Sequence, residues 1–193
     1  MKINYPNPSI QTKPHRDAHV QSHGMIFEHA LNLANEYYYN RNLAVIYKKP
    51  TPIRIVKVDY PSRNKARITE GYYQTPSTTD YNGIYKGRYL DYEAKETNNL
   101  SFSFKHIFPH QIEHLERVHK HGGLAFIIIF FKKVNQVFIM DILAFQDLLA
   151  EAKAGGKQSI SLEQFQTLGK QVTLGFTPTM DYLKAVDELY HLV

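Results

Sequence analysis

The run Leu124–Phe131 constrains the fold of this 193-residue chain more than any other segment. Every residue in it is apolar, and it lies between Gly122-Gly123 and Lys132-Lys133. The run has the length of a β-strand and falls far short of the roughly 20 residues that a membrane-spanning helix needs. A strand without polar alternation is buried on both faces, so we expect it at the centre of a sheet covered by helices on both sides.

Helical and strand periodicities alternate along the rest of the chain and predict one α/β domain over residues 24–193. A Pro-, Asn-, Gln- and Ser-rich segment over residues 1–23 shows no sustained period, and we expect it to be a flexible arm. The periodicities predict helices over 24–39, 109–121, 141–150, 161 onward and 179–189, and strands over 43–47, 53–60, 66–73, 84–86, 88–95 and 136–140.

Composition excludes several classes of protein. The chain contains no cysteine, which excludes disulfides and thiolate metal sites. Its N-terminus lacks the apolar core of a signal peptide, so we expect a cytoplasmic protein without a membrane partner. Residues 41–67 hold eight Lys and Arg against one acid, whereas the net charge of the whole chain is only +5. This concentration predicts either a phosphate-binding surface or a solvated basic hairpin over about residues 54–74.

Chemistry-bearing side chains concentrate in the predicted strand 88–95. Alternate residues of a strand share a face, which places Asp91, Glu93 and Lys95 in one row. Asp80 precedes this strand by one predicted hairpin. Converging carboxylates bind a hard cation such as Mg²⁺, and a neighbouring amine neutralises the charge that develops on a phosphate. Asp80 followed by Glu93-Ala94-Lys95 fits the PD-(D/E)xK nuclease pattern; the alternative is a surface strand with an ordinary salt bridge.

Longer motifs resemble the RecU family of Holliday-junction resolvases from Gram-positive bacteria. The resemblance runs in order from about Gly24 to Tyr182 and depends on the following segments: Lys48-Lys49-Pro50-Thr51-Pro52-Ile53, Val58-Asp59-Tyr60-Pro61, Thr75-Pro76-Ser77-Thr78-Thr79-Asp80-Tyr81-Asn82-Gly83, Glu93-Ala94-Lys95-Glu96-Thr97 and His110-Gln111-Ile112-Glu113-His114. Pro8-Ser9 departs from the family pattern, which leaves the arm's DNA contacts open.

The resemblance implies a restriction-endonuclease-like core with a mixed central sheet, a homodimer, and a projecting basic β-hairpin, or stalk, that enters a four-way DNA junction. It implies paired symmetric nicks during recombination and repair, with recombinase and branch-migration proteins as further partners. The matching motifs imply that the Mg²⁺ site comprises Thr78, Asp80, Glu93 and Gln111. This site would also accept Mn²⁺. Asp80, Glu93 and Lys95 would be catalytic, and Glu28 an auxiliary acid. The predicted DNA contacts are Arg63, Lys65, Arg67, Lys48 and Lys49.

Alternatives remain at several positions. Asp91 would either support the metal ligands without touching the cation or pair with Lys86 or Arg88. His110 and His114 share a helix face at the spacing of a zinc pair, but HExxH and an evident third ligand are absent, so we favour surface or phosphate-contacting roles. The rival function is a non-catalytic junction-binding protein that modulates a recombinase or the branch-migration machinery.

Overall fold

The computed structural model describes residues 22–62, 64–74 and 78–192, with side chains from residue 27 onward. The strands are β1 (Ala44–Lys48), β2 (Ile53–Asp59), β3 (Arg67–Tyr73), β4 (Tyr81–Tyr85), β5 (Arg88–Thr97), β6 (Ser101–Ser103), β7 (Leu124–Phe131), β8 (Gln136–Asp141), β9 (Ser159–Ser161), β10 (Lys170–Leu174) and β11 (Met180–Asp181). The helices are α1 (Ser22–Asn40), α2 (Pro109–Lys120), α3 (Ile142–Lys153), α4 (Leu162–Leu168) and α5 (Tyr182–Tyr190), with 3-10 turns at Phe104–His106 and Lys132–Val134.

A mixed seven-stranded sheet forms the centre of the molecule in the order β1-β4-β5-β7-β8-β10-β11. Only β5 and β7 run parallel, and every other neighbouring pair is antiparallel. The parallel pair requires a crossover connection, and this connection carries α2 across the sheet. The predicted α/β architecture with a central mixed sheet is therefore confirmed.

Two apolar layers cover the two faces of this sheet. α1 and α5 pack on one face, where Leu31 and Val186 are fully buried, and α2, α3 and α4 pack on the other. β7 supplies both layers, because its residues alternate between the two clusters and Leu124 to Ile129 are all inaccessible to solvent. The prediction of a central strand at this run is confirmed. None of the described helices is both long and apolar enough to span a membrane.

The basic segment forms a hairpin that is separate from the central sheet. β2 and β3 pair only with each other, with an irregular register around Val56. All of their residues are exposed except Val58, which is half-buried. A two-stranded ribbon without a covering layer buries little apolar surface, so this hairpin projects from the body of the protein. The predicted hairpin over about 54–74 thus exists as a separate unit.

Several elements differ from the sequence predictions. The strand predicted from residue 84 begins at Tyr81, so Asn82-Gly83 lies inside β4, where the backbone of β1 leaves no space for a Cβ on Gly83. The turn follows at Lys86-Gly87, and both residues have positive φ. The helix predicted from residue 179 begins at Tyr182, because Met180 and Asp181 pair with β10 as a strand. β10 itself was missed because its residues are mostly polar or exposed.

Candidate active site

A cleft opens where β1, β4 and β5 meet the first turns of α1. It has a volume of about 240 Å³. Its charged lining consists of Glu28 from α1, Lys48 from β1, Asp80 before β4, and Lys95 and Glu96 from β5. The cleft therefore brings together the strand that carries the acid-x-Lys motif and the loop that carries Asp80, as the sequence pattern predicted.

Asp80 is fixed to β5 through its side chain. The pairing of β4 with β5 ends at Tyr81 and Tyr92. The next β5 amide that faces this edge, that of Ala94, therefore has no carbonyl of β4 as its hydrogen-bond acceptor. The Asp80 Oδ2 atom takes this place and accepts a hydrogen bond from the Ala94 amide at 3.1 Å. The carboxylate is thereby held beside the residues that flank Ala94, which are Glu93 and Lys95.

Glu93 is fully buried on the face of β5 that packs against α2. Its Oε1 accepts hydrogen bonds from Lys95 Nζ and from Gln111 Nε2, the latter at 2.7 Å. Its Oε2 has no hydrogen-bond partner among the described residues. Burial of a carboxylate oxygen without a hydrogen-bond donor costs free energy unless a cation or another donor binds it.

The pKa of Glu93 also reflects the cost of burying its carboxylate. Burial, and secondarily the negative charge of Asp80, raise the pKa of Glu93 to about 7, although Lys95 and Gln111 act in the opposite direction. Two neighbouring carboxylates in a desolvated place repel each other, and a bound divalent cation would relieve both the repulsion and the desolvation. This desolvated pair of acids would therefore suit a bound cation.

Of the two neutral residues predicted as ligands, Gln111 contacts Glu93, whereas Thr78 contacts Lys49. Gln111, the first buried residue of α2, contacts Glu93 directly and accepts a hydrogen bond from the Phe108 amide through its own Oε1. Thr78 is exposed, and its Oγ1 accepts a hydrogen bond from Lys49 Nζ at 3.2 Å. Among the described residues, no three His, Asp or Glu side chains converge as a metal cluster. A cation here would thus need neutral oxygens, waters and substrate phosphate to complete its shell, as Mg²⁺ commonly does.

Glu28 and Lys48 form the outer rim of the cleft. Their side chains make an ion pair at 2.5 Å, and each is about half exposed. The structure therefore places the predicted auxiliary acid in the same cleft as Asp80 and Lys95. It also brings Lys48, a predicted DNA contact, to the mouth of that cleft.

Asp91 lies at the centre of a second polar cluster that the sequence did not reveal. Its carboxylate is fully buried and accepts hydrogen bonds from Thr79 Oγ1, from Lys49 Nζ at 2.7 Å and from Tyr89 OH at 2.9 Å. His114 Nε2 lies 2.9 Å from the same carboxylate. The suggestion that Asp91 pairs with Lys86 or Arg88 is wrong.

The partners of those two basic residues explain this correction. Lys86 pairs with Asp187 of α5 at 2.9 Å, and Arg88 donates hydrogen bonds to the carbonyl of Gly122. Both residues lie at the β4–β5 turn, Lys86 within it and Arg88 directly after it, away from the end of β5 that carries Glu93. The contacts depend on how α5 and α2 pack, which local spacing does not specify.

The cluster around Asp91 is electrostatically balanced. Burial is the largest single influence on the pKa of Asp91 and would raise it, but hydrogen bonds from His114, Lys49 and Thr79 together outweigh burial and lower the pKa below its ordinary value. Asp91 is thus an ionised, internally neutralised group, in contrast to Glu93 two residues later, whose partners do not outweigh its burial.

The predicted DNA contacts fall into three places. Lys65 and Arg67 are exposed on the β2–β3 hairpin, and Arg63 lies outside the described residues. Lys48 lies at the cleft mouth, whereas Lys49 is only 15% exposed and directs its ammonium group towards Asp91. The structure thus assigns Lys49 an internal partner, and its contact with DNA stays a prediction.

The sequence of this chain is similar to those of known proteins. The family model described as RecU, recombination protein U, matches residues 22–188. The Holliday junction resolvase RecU of Geobacillus thermodenitrificans is 44% identical over 91% of this chain and 88% of its own length, and that of Bacillus thuringiensis is 43% identical over 98% and 99%. A solved structure of Archaeoglobus fulgidus Hjc, a Holliday junction resolvase, aligns over 75% of this chain and 93% of its own with a TM-score of 0.45 and 11% identity. By the extent of the family match and the identity to these relatives, this chain belongs to the RecU family.

Proposed function

We propose that this protein is a Mg²⁺-dependent endonuclease that resolves Holliday junctions by paired symmetric nicking. The observation that carries the proposal is the buried Glu93 carboxylate, which contacts Lys95 and Gln111 through Oε1, senses the charge of Asp80, and leaves Oε2 without a hydrogen-bond partner among the described residues. Relatives of the chain are named Holliday junction resolvases. Acids that can hold a cation, with an amine beside them to stabilise developing charge, suit metal-assisted phosphodiester hydrolysis.

Each residue has a distinct part in the proposed reaction. Asp80 and Glu93 would hold the cation, with the Thr78 hydroxyl as a neutral ligand. The Gln111 Oε1, which accepts from the Phe108 amide, has a second lone pair for the cation. When bound, Mg²⁺ neutralises charge on the scissile phosphate and promotes ionisation of the attacking water. Lys95 is partly exposed, with its ammonium group beside Glu93, so it can donate to the phosphate oxygen that gains charge in the transition state. Gln111 keeps Glu93 oriented through its amide hydrogen bond.

Junction recognition would depend on the basic hairpin. The exposed side chains of Lys65 and Arg67, together with Arg63, suit contact with phosphates, which positions a protein on DNA without reading its sequence. A homodimer would provide two equivalent active sites for two opposed strands through C2 symmetry. Recombinase and branch-migration proteins remain proposed partners.

The Asp80→Ala variant tests the proposed chemistry. It should abolish cleavage of a four-way junction while it retains junction binding in EDTA, because the hairpin is unchanged. Cleavage is followed on denaturing gels and binding by fluorescence anisotropy, with Asp187→Ala as a control that removes a carboxylate of α5. Wild-type cleavage by Asp80→Ala would refute the assigned site, and junction binding without cleavage by the wild-type protein under Mg²⁺ or Mn²⁺ would favour the non-catalytic alternative.

A further inference from the structure

The segment Thr78–Asp80 carries two of the proposed cation ligands but belongs to no helix or strand. A loop positions ligands well only when its own side chains and backbone are fixed by surrounding groups. The contacts that fix this segment are therefore part of the site, even where they do not touch the cation.

Lys49 contacts all three residues of the segment. Its amide donates a hydrogen bond to the Asp80 carbonyl at 2.7 Å. Its ammonium group donates to Thr79 Oγ1 at 2.5 Å and to Thr78 Oγ1 at 3.2 Å. Because Lys49 follows β1 directly, these bonds tie the segment to the edge of the central sheet.

Asp91 fixes Lys49 and Thr79 in turn. Its two oxygens have different partners. Oδ1 accepts a hydrogen bond from the Thr79 hydroxyl, whereas Oδ2 accepts one from Lys49 Nζ and lies close to His114 Nε2. Thr79 is fully buried, so its hydroxyl has no access to water as a substitute partner. The Asp91 carboxylate thus holds in place both the hydroxyl and the ammonium group that define the conformation of the segment.

We propose that Asp91 is a positioning residue, which acts through Thr79 and Lys49 to hold Thr78 and Asp80 in the geometry that binds the divalent cation. The inference rests on the cation site of the proposed function. Asp91 also neutralises Lys49, whose ammonium group would otherwise stand uncompensated beside Thr78 and repel a cation. α2 contributes to both clusters, since Gln111 contacts Glu93 and His114 contacts Asp91 one helical turn later.

The test measures cation binding without DNA and without turnover. Mn²⁺ is titrated into the full-length protein by isothermal calorimetry for the wild type and for Asp91→Asn, with Asp80→Ala as the variant that removes a proposed ligand. We expect Asp91→Asn to weaken Mn²⁺ binding about 10- to 100-fold, the usual effect of removing a partner that orients metal ligands. Asp187→Asn, which removes a different carboxylate–lysine pair, should bind like the wild type.

Thr79 provides a second pair of variants in case Asp91→Asn does not fold. Thr79→Val preserves shape but removes the hydroxyl and should weaken Mn²⁺ binding, whereas Thr79→Ser keeps the hydroxyl and should bind within about twofold of the wild type. Thermal unfolding in EDTA checks that each variant is folded at the titration temperature. A merely structural role would lower the melting temperature and leave the Mn²⁺ dissociation constant of the folded variants unchanged.

The possible outcomes separate this inference from the proposed function. Mn²⁺ binding by folded Asp91→Asn or Thr79→Val within twofold of the wild type would overturn the positioning role and leave the proposed nuclease intact. Failure of the wild type to bind Mn²⁺ or Mg²⁺ would overturn the proposed site itself, and this inference with it. Weakened binding in Thr79→Val, restored in Thr79→Ser, would support the positioning role.

Discussion

Glu93→Gln should stabilise the metal-free protein, because the wild-type carboxylate is buried near the charge of Asp80 and one of its oxygens has no partner in the part of the chain that the structure describes. The pKa of Glu93, about 7, exceeds the ordinary value of 4.5, so the folded protein holds this proton more tightly than the unfolded chain does. The free energy of unfolding of the wild type therefore falls as pH rises through this interval and stays low above pH 7. Gln resembles the protonated acid and lacks this dependence.

The size of the effect follows from the pKa. A pKa of about 7 in place of 4.5 corresponds to a penalty of about 3 kcal/mol once Glu93 is ionised in both states. The variant should therefore exceed the wild type by about 3 kcal/mol at pH 8 and by about 1 kcal/mol at pH 5. Urea denaturation in EDTA at the two pH values measures the difference, with the exposed Glu113→Gln as the control.

Saturating Mg²⁺ should cancel most of this difference at pH 8. At a concentration 100 times its dissociation constant, a cation that binds only the folded state adds about 2.7 kcal/mol to the wild type, and the variant should gain less. Two results would refute the reasoning: a Glu93→Gln protein that is less stable than the wild type in EDTA at pH 8, or a stability difference that does not change with pH.

Two further predictions concern the hairpin and the sheet edge. Replacing Arg63, Lys65 and Arg67 together by Gln should weaken junction binding more than duplex binding. The slope of log K against log salt concentration should become shallower by about 2 to 3, because two or three phosphate contacts are lost. Equal loss on both DNAs in anisotropy titrations would contradict a junction-specific role. Gly83→Ala should destabilise the protein by about 2 kcal/mol or more in urea titrations, because its Cβ would lie 2.1 Å from the Val45 carbonyl oxygen, and an unchanged midpoint would refute that close approach.

The central strands and the acid-x-Lys strand were predictable because their signals are local. The apolar run of β7 specifies burial on both faces, and the alternation in β5 places Glu93 and Lys95 in one row. Gln111 was identified only through its motif, since one Gln on an amphipathic helix carries no chemical signal by itself. Its contact with Glu93 depends on the crossover that lays α2 over β5.

The cluster around Asp91 was not predictable from local patterns. Lys49 and Asp91 are 42 residues apart in the sequence and meet only because β1 and β5 both flank β4. Lys49 within a basic segment resembles any other solvated cation, and Thr79 resembles any other loop hydroxyl. The short strands β9, β10 and β11 were missed for a related reason, because their pairing partners rather than their own residues define them.

Cleavage of a labelled four-way junction tests the central claim most directly. Wild-type protein is incubated with the junction and with a linear duplex of matched sequence, each in Mg²⁺ and in EDTA, and products are mapped on both pairs of strands. The account predicts symmetric paired nicks in opposed strands, on the junction only and with Mg²⁺ only. Equal cutting of the duplex, or cutting in EDTA, would contradict it.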